Sequence, residues 1–152
     1  MQRMTWAIFG IVVVSGASLL DGAERARVKI EFRLGQKEEG KGLERMTLPG
    51  MKDQVIYVHK KVMLANADIA SAKAKKAKGD NPPALYLTSA KSSREKMSKW
   101  TGTNVGKYLC IFVDGKLFAA PRINEKMSNE AEISGNFTEE EVQRIAKGIK
   151  AK

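Results

Sequence analysis

The chain has one cysteine, Cys110, and one histidine, His59, among 152 residues. A single Cys excludes a disulfide framework and a cysteine-based zinc finger. A single His removes most histidine–metal and Ser-His-Asp schemes. Aromatic residues make up 7%, too few and too scattered (Tyr57 and Tyr86 stand alone) for a base-stacking platform. No apolar run reaches the ~20 residues of a confident membrane span, and the length excludes an α/β barrel. Acid is also scarce: 17 Asp and Glu face 27 Lys and Arg, a formal charge of +10. What is present, 43% hydrophobic and 29% charged residues, is ordinary globular composition. The expectation is one small, basic, folded domain.

The start of the chain reads as an address. Arg3 precedes an uncharged run from Ala7 to Leu20, followed by Asp21, Gly22 and Ala23. A basic start, a short apolar middle and a small-residue exit form the secretory signal pattern. Residues 1–23 are therefore expected to be a signal peptide cut after Ala23 or after Ala17, with an uncleaved anchor as the other reading. Both place the rest of the chain in the periplasm or outside the cell. Cys110 would then enter an oxidising compartment alone; its apolar surroundings make it a buried, inert thiol.

Beyond the leader, Val28, Ile30, Phe32 and Leu34 alternate with Lys29, Glu31 and Arg33, a strand with one wet face. Residues 35–50, rich in Gly, Lys and Glu, read as a loop, and Val55–Val58 as a short strand. Asn66 is placed to cap a helix running through Ile69, Ala72 and Ala77 to Gly79, with Lys73, Lys75, Lys76 and Lys78 on its outer side. Asp80-Asn81-Pro82-Pro83 is a turn, and Ala84–Thr88 a strand. Ser92 and Glu95 make a capping box for a helix that turns Met97 and Trp100 inward. The continuous apolar run Tyr108–Val113 predicts a central strand, Asp114-Gly115 a tight hairpin turn, and Leu117–Ile123 the returning arm. Pro121 cannot donate to a ladder and marks an edge, a bulge or the end of pairing. A short strand over Glu132–Ser134 and a helix opened by the Thr138/Glu141 capping box complete the order. The fold class is α+β: helices packed on one face of a mainly antiparallel sheet.

Three segments of the second half carry a specific likeness: Phe112-Val113-Asp114-Gly115-Lys116, Ala119-Ala120-Pro121-Arg122-Ile123-Asn124-Glu125, and Ile133-Ser134-Gly135-Asn136-Phe137-Thr138-Glu139-Glu140-Glu141. In this order and spacing they resemble the head subdomain of the first large periplasmic domain of SecD, of the SecDF protein-export complex. Ile30–Leu34 resembles that domain's opening strand, and Leu64–Ile69 the lead into its first helix. The likeness covers about 28–152, divided into an opening strand and loop over 28–54 and a compact α+β core over 55–152. The family tends to place two glycines in the loop after its Asn-Glu; this chain has Asn129-Glu130 in a loop that looks a residue shorter. The resemblance implies contact with polypeptides leaving the translocon. The membrane helices that couple the family's cycle to a proton gradient have no counterpart in 28–152.

The expected function is thus that of an exported, non-enzymatic binding domain, accessory to protein export, with exported polypeptides or translocon components as partners. Lys116, Pro121, Asn124, Glu125 and Asn129, on the hairpin and the loop beyond it, are the candidate polypeptide-binding residues, because a sheet edge can pair an extended peptide. A second reading gives Lys60, Lys61, Lys73, Lys75, Lys76 and Lys78 to an anionic lipid or envelope polymer. Nucleic acid is disfavoured by the missing aromatics. Ser134 with His59 as its base is the weakest option, since Ser134-Gly135-Asn136 reads first as a turn before a capped helix. The acids Glu139–Glu141 suit a helix start without chemistry. No cofactor or metal is implied.

Overall fold

A computed structural model describes residues 27–135 and 137–150; the expected signal segment lies outside the described residues. In chain order the elements are β1 (Ile30–Gln36), β2 (Glu44–Thr47), β3 (Val55–Ala65), β4 (Ile69–Lys75), β5 (Ala84–Ser89), α1 (Arg94–Thr103), β6 (Tyr108–Val113), β7 (Lys116–Ala119), β8 (Glu130–Ser134) and α2 (Glu139–Lys150). Every strand pairing is antiparallel, and the class is α+β as expected. The strands divide into a five-stranded sheet ordered β2-β3-β1-β6-β7 and a three-stranded sheet ordered β4-β5-β8.

Strand β1 explains the division of the core. Its alternation puts Ile30 and Phe32 into the main cluster, where they meet Ile111 of β6, Leu85 of β5, Met97 and Trp100 of α1, and Val142 and Ile145 of α2. The other face of the same sheet is not wet. Ile56, Val58, Cys110 and Phe112 form a second buried cluster there, with Met46, Leu48 and Leu117 packed against it. Burial pushes the Cys110 thiol up to about 12, so it stays protonated and unreactive. Glu31 faces this side too and is only 8% exposed. Lys29 and Arg33 each approach its carboxylate to 2.7 Å, and these bonds hold it below the usual carboxylate range.

Two expected helical features are replaced. The segment after Asn66 is a single 3-10 turn followed by strand β4. Ala and Lys favour a helix locally, but Ala72 and Ala74 also alternate with Lys73 and Lys75 at period two. Pairing with β5 and packing under α2 select that period. Asn66 instead pins β1: its Oδ1 accepts the Ile30 N–H at 2.9 Å and its Nδ2 donates to the Val28 carbonyl at 2.7 Å. The Ser92/Glu95 capping box is absent as well. Ser93 precedes α1, and its hydroxyl donates to Asp68 Oδ1 at 2.6 Å. Burial pushes Asp68 up, but this bond, the Ala65 N–H and Lys96 outweigh it and hold the carboxyl low.

Two further differences add strand residues. β3 continues through His59, Lys60 and Lys61 to Ala65, and β2 lies inside the expected loop. The Asp114-Gly115 turn has positive φ at both residues, 50° and 81°, as a two-residue hairpin of this type requires. The Thr138/Glu141 box is made in full, with Glu141 N–H donating to Thr138 Oγ1 at 3.1 Å and Thr138 N–H to Glu141 Oε2 at 2.8 Å.

Two outcomes follow. A Cβ added at Gly148 of α2 would lie 2.2 Å from Val28 Cγ2 and 3.0 Å from its backbone nitrogen. Gly148→Ala should therefore destabilise by ~1–3 kcal/mol, despite a helix-propensity gain of up to ~1 kcal/mol, and lower the urea midpoint. The depressed carboxyls of Glu31 and Asp68 contribute stability that is present above the ordinary carboxylate range, about pH 4, and is lost as pH falls through their lower folded values. Glu31→Gln should show a shallower acid-side loss in urea midpoints measured from neutral pH downward.

Candidate functional site

Strand β7 is one of the two edge strands of the five-stranded sheet, with β2 at the other end. It pairs with β6 as Val113↔Lys116, Phe112↔Leu117 and Ile111↔Ala119, which leaves Phe118 as the extra residue of a bulge. A bulge re-aims a side chain and increases local twist. Leu117 packs on the second cluster and Phe118 on the main one. β7 stops at Ala119, and contact with the β6 side resumes past the proline: Leu109 N–H donates to the Pro121 carbonyl and Ile123 N–H to that of Lys107, both at 2.8 Å. Pro121 thus interrupts the returning arm.

Beside this edge runs a groove of about 190 Å³, lined by Leu48, Pro49, Met51, Phe118–Pro121, Ser134, Gly135 and Phe137. β2 and β7 are opposite ends of one sheet, yet residues following each meet at this groove; the sheet curls until its two ends nearly close. The Phe118 and Phe137 rings stack at 4.3 Å between centroids, 9° from parallel. Gly135 permits that placement, since a Cβ there would lie 2.9 Å from the Phe137 ring. Met51, on the opposite wall, is 47% exposed. Apolar walls next to unpaired backbone can receive an extended chain; no nucleophile–base pair lies among the groove's lining residues.

The structure sorts the predicted residues. Pro121 lines the groove, and Lys116 is exposed at the start of β7. Asn124 and Glu125 are exposed beyond the groove, where the chain runs along α1: Met127 N–H donates to Thr101 Oγ1 at 2.9 Å. Asn129 is half-buried at the end of that run; its carbonyl accepts the Ser89 N–H at 2.7 Å. The lysines share no helix face, which corrects the second reading. Lys60 and Lys61 lie on β3, Lys73 and Lys75 on β4 in the other sheet, and Lys76 and Lys78 in the turn after it. Lys75 donates to the Tyr86 hydroxyl at 3.1 Å, which raises its pKa, and Tyr86 donates to Glu132. His59 lies on β3 with Nε2 3.4 Å from Gln36 Oε1, whereas Ser134 is on β8 beside the groove. Among the described residues, no group of three His, Cys, Asp or Glu could hold a metal.

Sequence reasoning missed Leu48, Met51 and Phe137, and held Phe118 only as part of the returning arm. Only Phe137 carried a signal: an apolar residue just before a Thr cap is the position of a hydrophobic staple. The others are brought together by curling of the sheet, which no local pattern encodes.

An antiparallel α+β module with an apolar groove on a bulged edge is the class that these features define. Residues 42–151 match the family of the SecDF P1 head subdomain, and the chain belongs to that family. It is similar to protein translocase subunit SecD of Elusimicrobium minutum, 30% identical over 95 residues that cover 62% of this chain and 20% of that one. SecD of Rickettsia bellii is 33% identical over 108 residues, 70% of this chain and 21% of that one. The chain thus spans about a fifth of these relatives' length. A crystal structure of SecDF in a super-membrane-facing form superposes with TM-score 0.63 at 26% identity, covering 84% of this chain and 19% of that one. A structure of a SecDF membrane component that enhances protein export shares the fold, with TM-score 0.64 at 22% identity, 93% of this chain and 71% of that one.

Phe118 is half-buried and stacked, so Phe118→Ala should cost ~1–3 kcal/mol, less than a fully buried Phe. The loss is read from urea unfolding, and the folded variant should retain native dispersion in NMR spectra.

Proposed function

We propose that this chain acts in protein export on the outer side of the cytoplasmic membrane, as a non-catalytic module that holds extended polypeptide against β7. The observation that carries the reading is the free, bulged edge of β7 running beside an apolar groove. Edge backbone groups supply hydrogen bonds that any sequence can make, and the groove takes apolar side chains from alternate positions. Membership of the SecDF P1 head family supports this reading, as do relatives named as translocase subunits. The partners are exported polypeptides, with translocon components near them, and the site of action is periplasmic.

Within this reading Phe118, Pro121, Phe137 and Met51 form the contact floor, and Lys116 marks one end of the edge. Asn124, Glu125 and Asn129 would meet a longer polypeptide as it passes from the groove towards α1. Among the described residues no helix is long and apolar enough to cross a membrane.

The test is photocrosslinking in cells, with one probe at Phe118 and a control probe at Lys73 on the other sheet. The reading predicts exported polypeptides on the Phe118 probe and few on the control. Equal capture at both positions, or none at Phe118, would overturn it.

A further inference from the structure

A second cavity, which shares no lining residue with the groove, has the opposite chemistry. It holds about 180 Å³ and is lined by Gln36, Lys37, Glu38, Gly106, Lys107, Tyr108 and Arg122. Three separate segments build it: the end of β1, the turn between α1 and β6, and the chain just past β7. Three cations and one acid face it, leaving two positive charges uncompensated.

No ion pair among the described residues includes Lys37, Lys107 or Arg122. Arg122 is held in place by its Nε, which donates to the Gly106 carbonyl at 3.2 Å. That bond fixes the guanidinium at the cavity and leaves its terminal nitrogens able to donate elsewhere. Gln36 is already engaged, its Nε2 donating to the Glu38 carbonyl at 3.0 Å and its Oε1 facing His59. Glu38 is the one acid on the cavity wall, so two of the three positive charges have no counter-charge there.

The geometry points to an oxyanion site that takes a phosphomonoester group. Charge selects the class. A phosphomonoester carries about −1.5 to −2 at neutral pH, matching the site's excess, whereas a carboxylate would neutralise half of it. Size agrees: 180 Å³ is the share of about six liquid waters, room for a tetrahedral oxyanion with part of its substituent. Arg supplies a planar fork for two phosphate oxygens, and Lys supplies point charges around it. The group arrives either on a soluble metabolite or on a lipid headgroup such as that of phosphatidic acid. The site is independent of the polypeptide groove, with no lining residue in common.

The test is an NMR titration of the full chain with glycerol 3-phosphate, and a parallel flotation assay with vesicles of phosphatidylcholine carrying phosphatidic acid. Expected are saturable one-to-one shifts centred on Gly106, Lys107 and Arg122, with acetate at equal ionic strength producing none. Arg122→Gln should weaken binding by about ten- to 150-fold, the scale of one charge-assisted hydrogen bond. Lys37→Gln, which breaks no internal hydrogen bond, should weaken it in the same direction, and Lys73→Gln should leave it unchanged. Arg122-dependent vesicle binding would name a lipid as the source; binding of the soluble phosphate alone would name a metabolite. Shifts that do not saturate, or that spread equally to Lys73 and Lys75, overturn the site, as does absence of binding in both arms.

Discussion

Strand β1 is the constraint on which the molecule depends. It pairs with β3 on one side and β6 on the other, and neither face is open to solvent. Ile30 and Phe32 anchor the main cluster, while Glu31, Arg33 and Gly35 lie over the second. A buried carboxylate is costly unless paired and hydrogen-bonded, and here two cations within 2.7 Å satisfy Glu31. Arg33 also lies 4.5 Å above the Phe112 ring, so one side chain serves as both counter-ion and lid for the smaller core. Asn66 and Asp114 hold the lead-in: Asn66 bonds Val28 and Ile30, and Asp114 accepts the Lys29 N–H at 3.0 Å.

The curled sheet follows from that arrangement. The helices and the three-stranded sheet cover only the main cluster. The second cluster is built from the five-stranded sheet and its connections alone, so that face is buried by the sheet bending over it. Register shifts between β1 and β3, and the bulge at Phe118, supply the bend. Bending brings the chain after β2 towards β7 without pairing them. The proposed function rests on the edge that remains: backbone unpaired on one side, aromatic rings beside it, and a proline that ends the ladder.

Much of this was legible where the local pattern and the tertiary context agree. Period two in β1, the apolar run of β6, the Asp114-Gly115 turn, the Thr138/Glu141 cap and the brief strand at β8 all reappear. The misread strands share one cause. Residues 66–79 read as a helix because Ala and Lys favour one locally, and the competing period-two alternation gains its advantage only from β5 and α2. The polar stretch His59–Lys61 hid the middle of β3, whose second half pairs with β1 and not with its sequence neighbour β2. The groove was half legible: Pro121 marked the edge, but Met51, Phe118 and Phe137 converge only through curvature.

The most direct measurement is amide hydrogen exchange, residue by residue, with and without a saturating extended apolar peptide. If polypeptide adds to the β7 edge, Lys116–Ala119 should gain protection while β4, an edge strand of the other sheet, stays unchanged. Binding that protects β4, or that leaves β7 exchanging as before, would contradict the account.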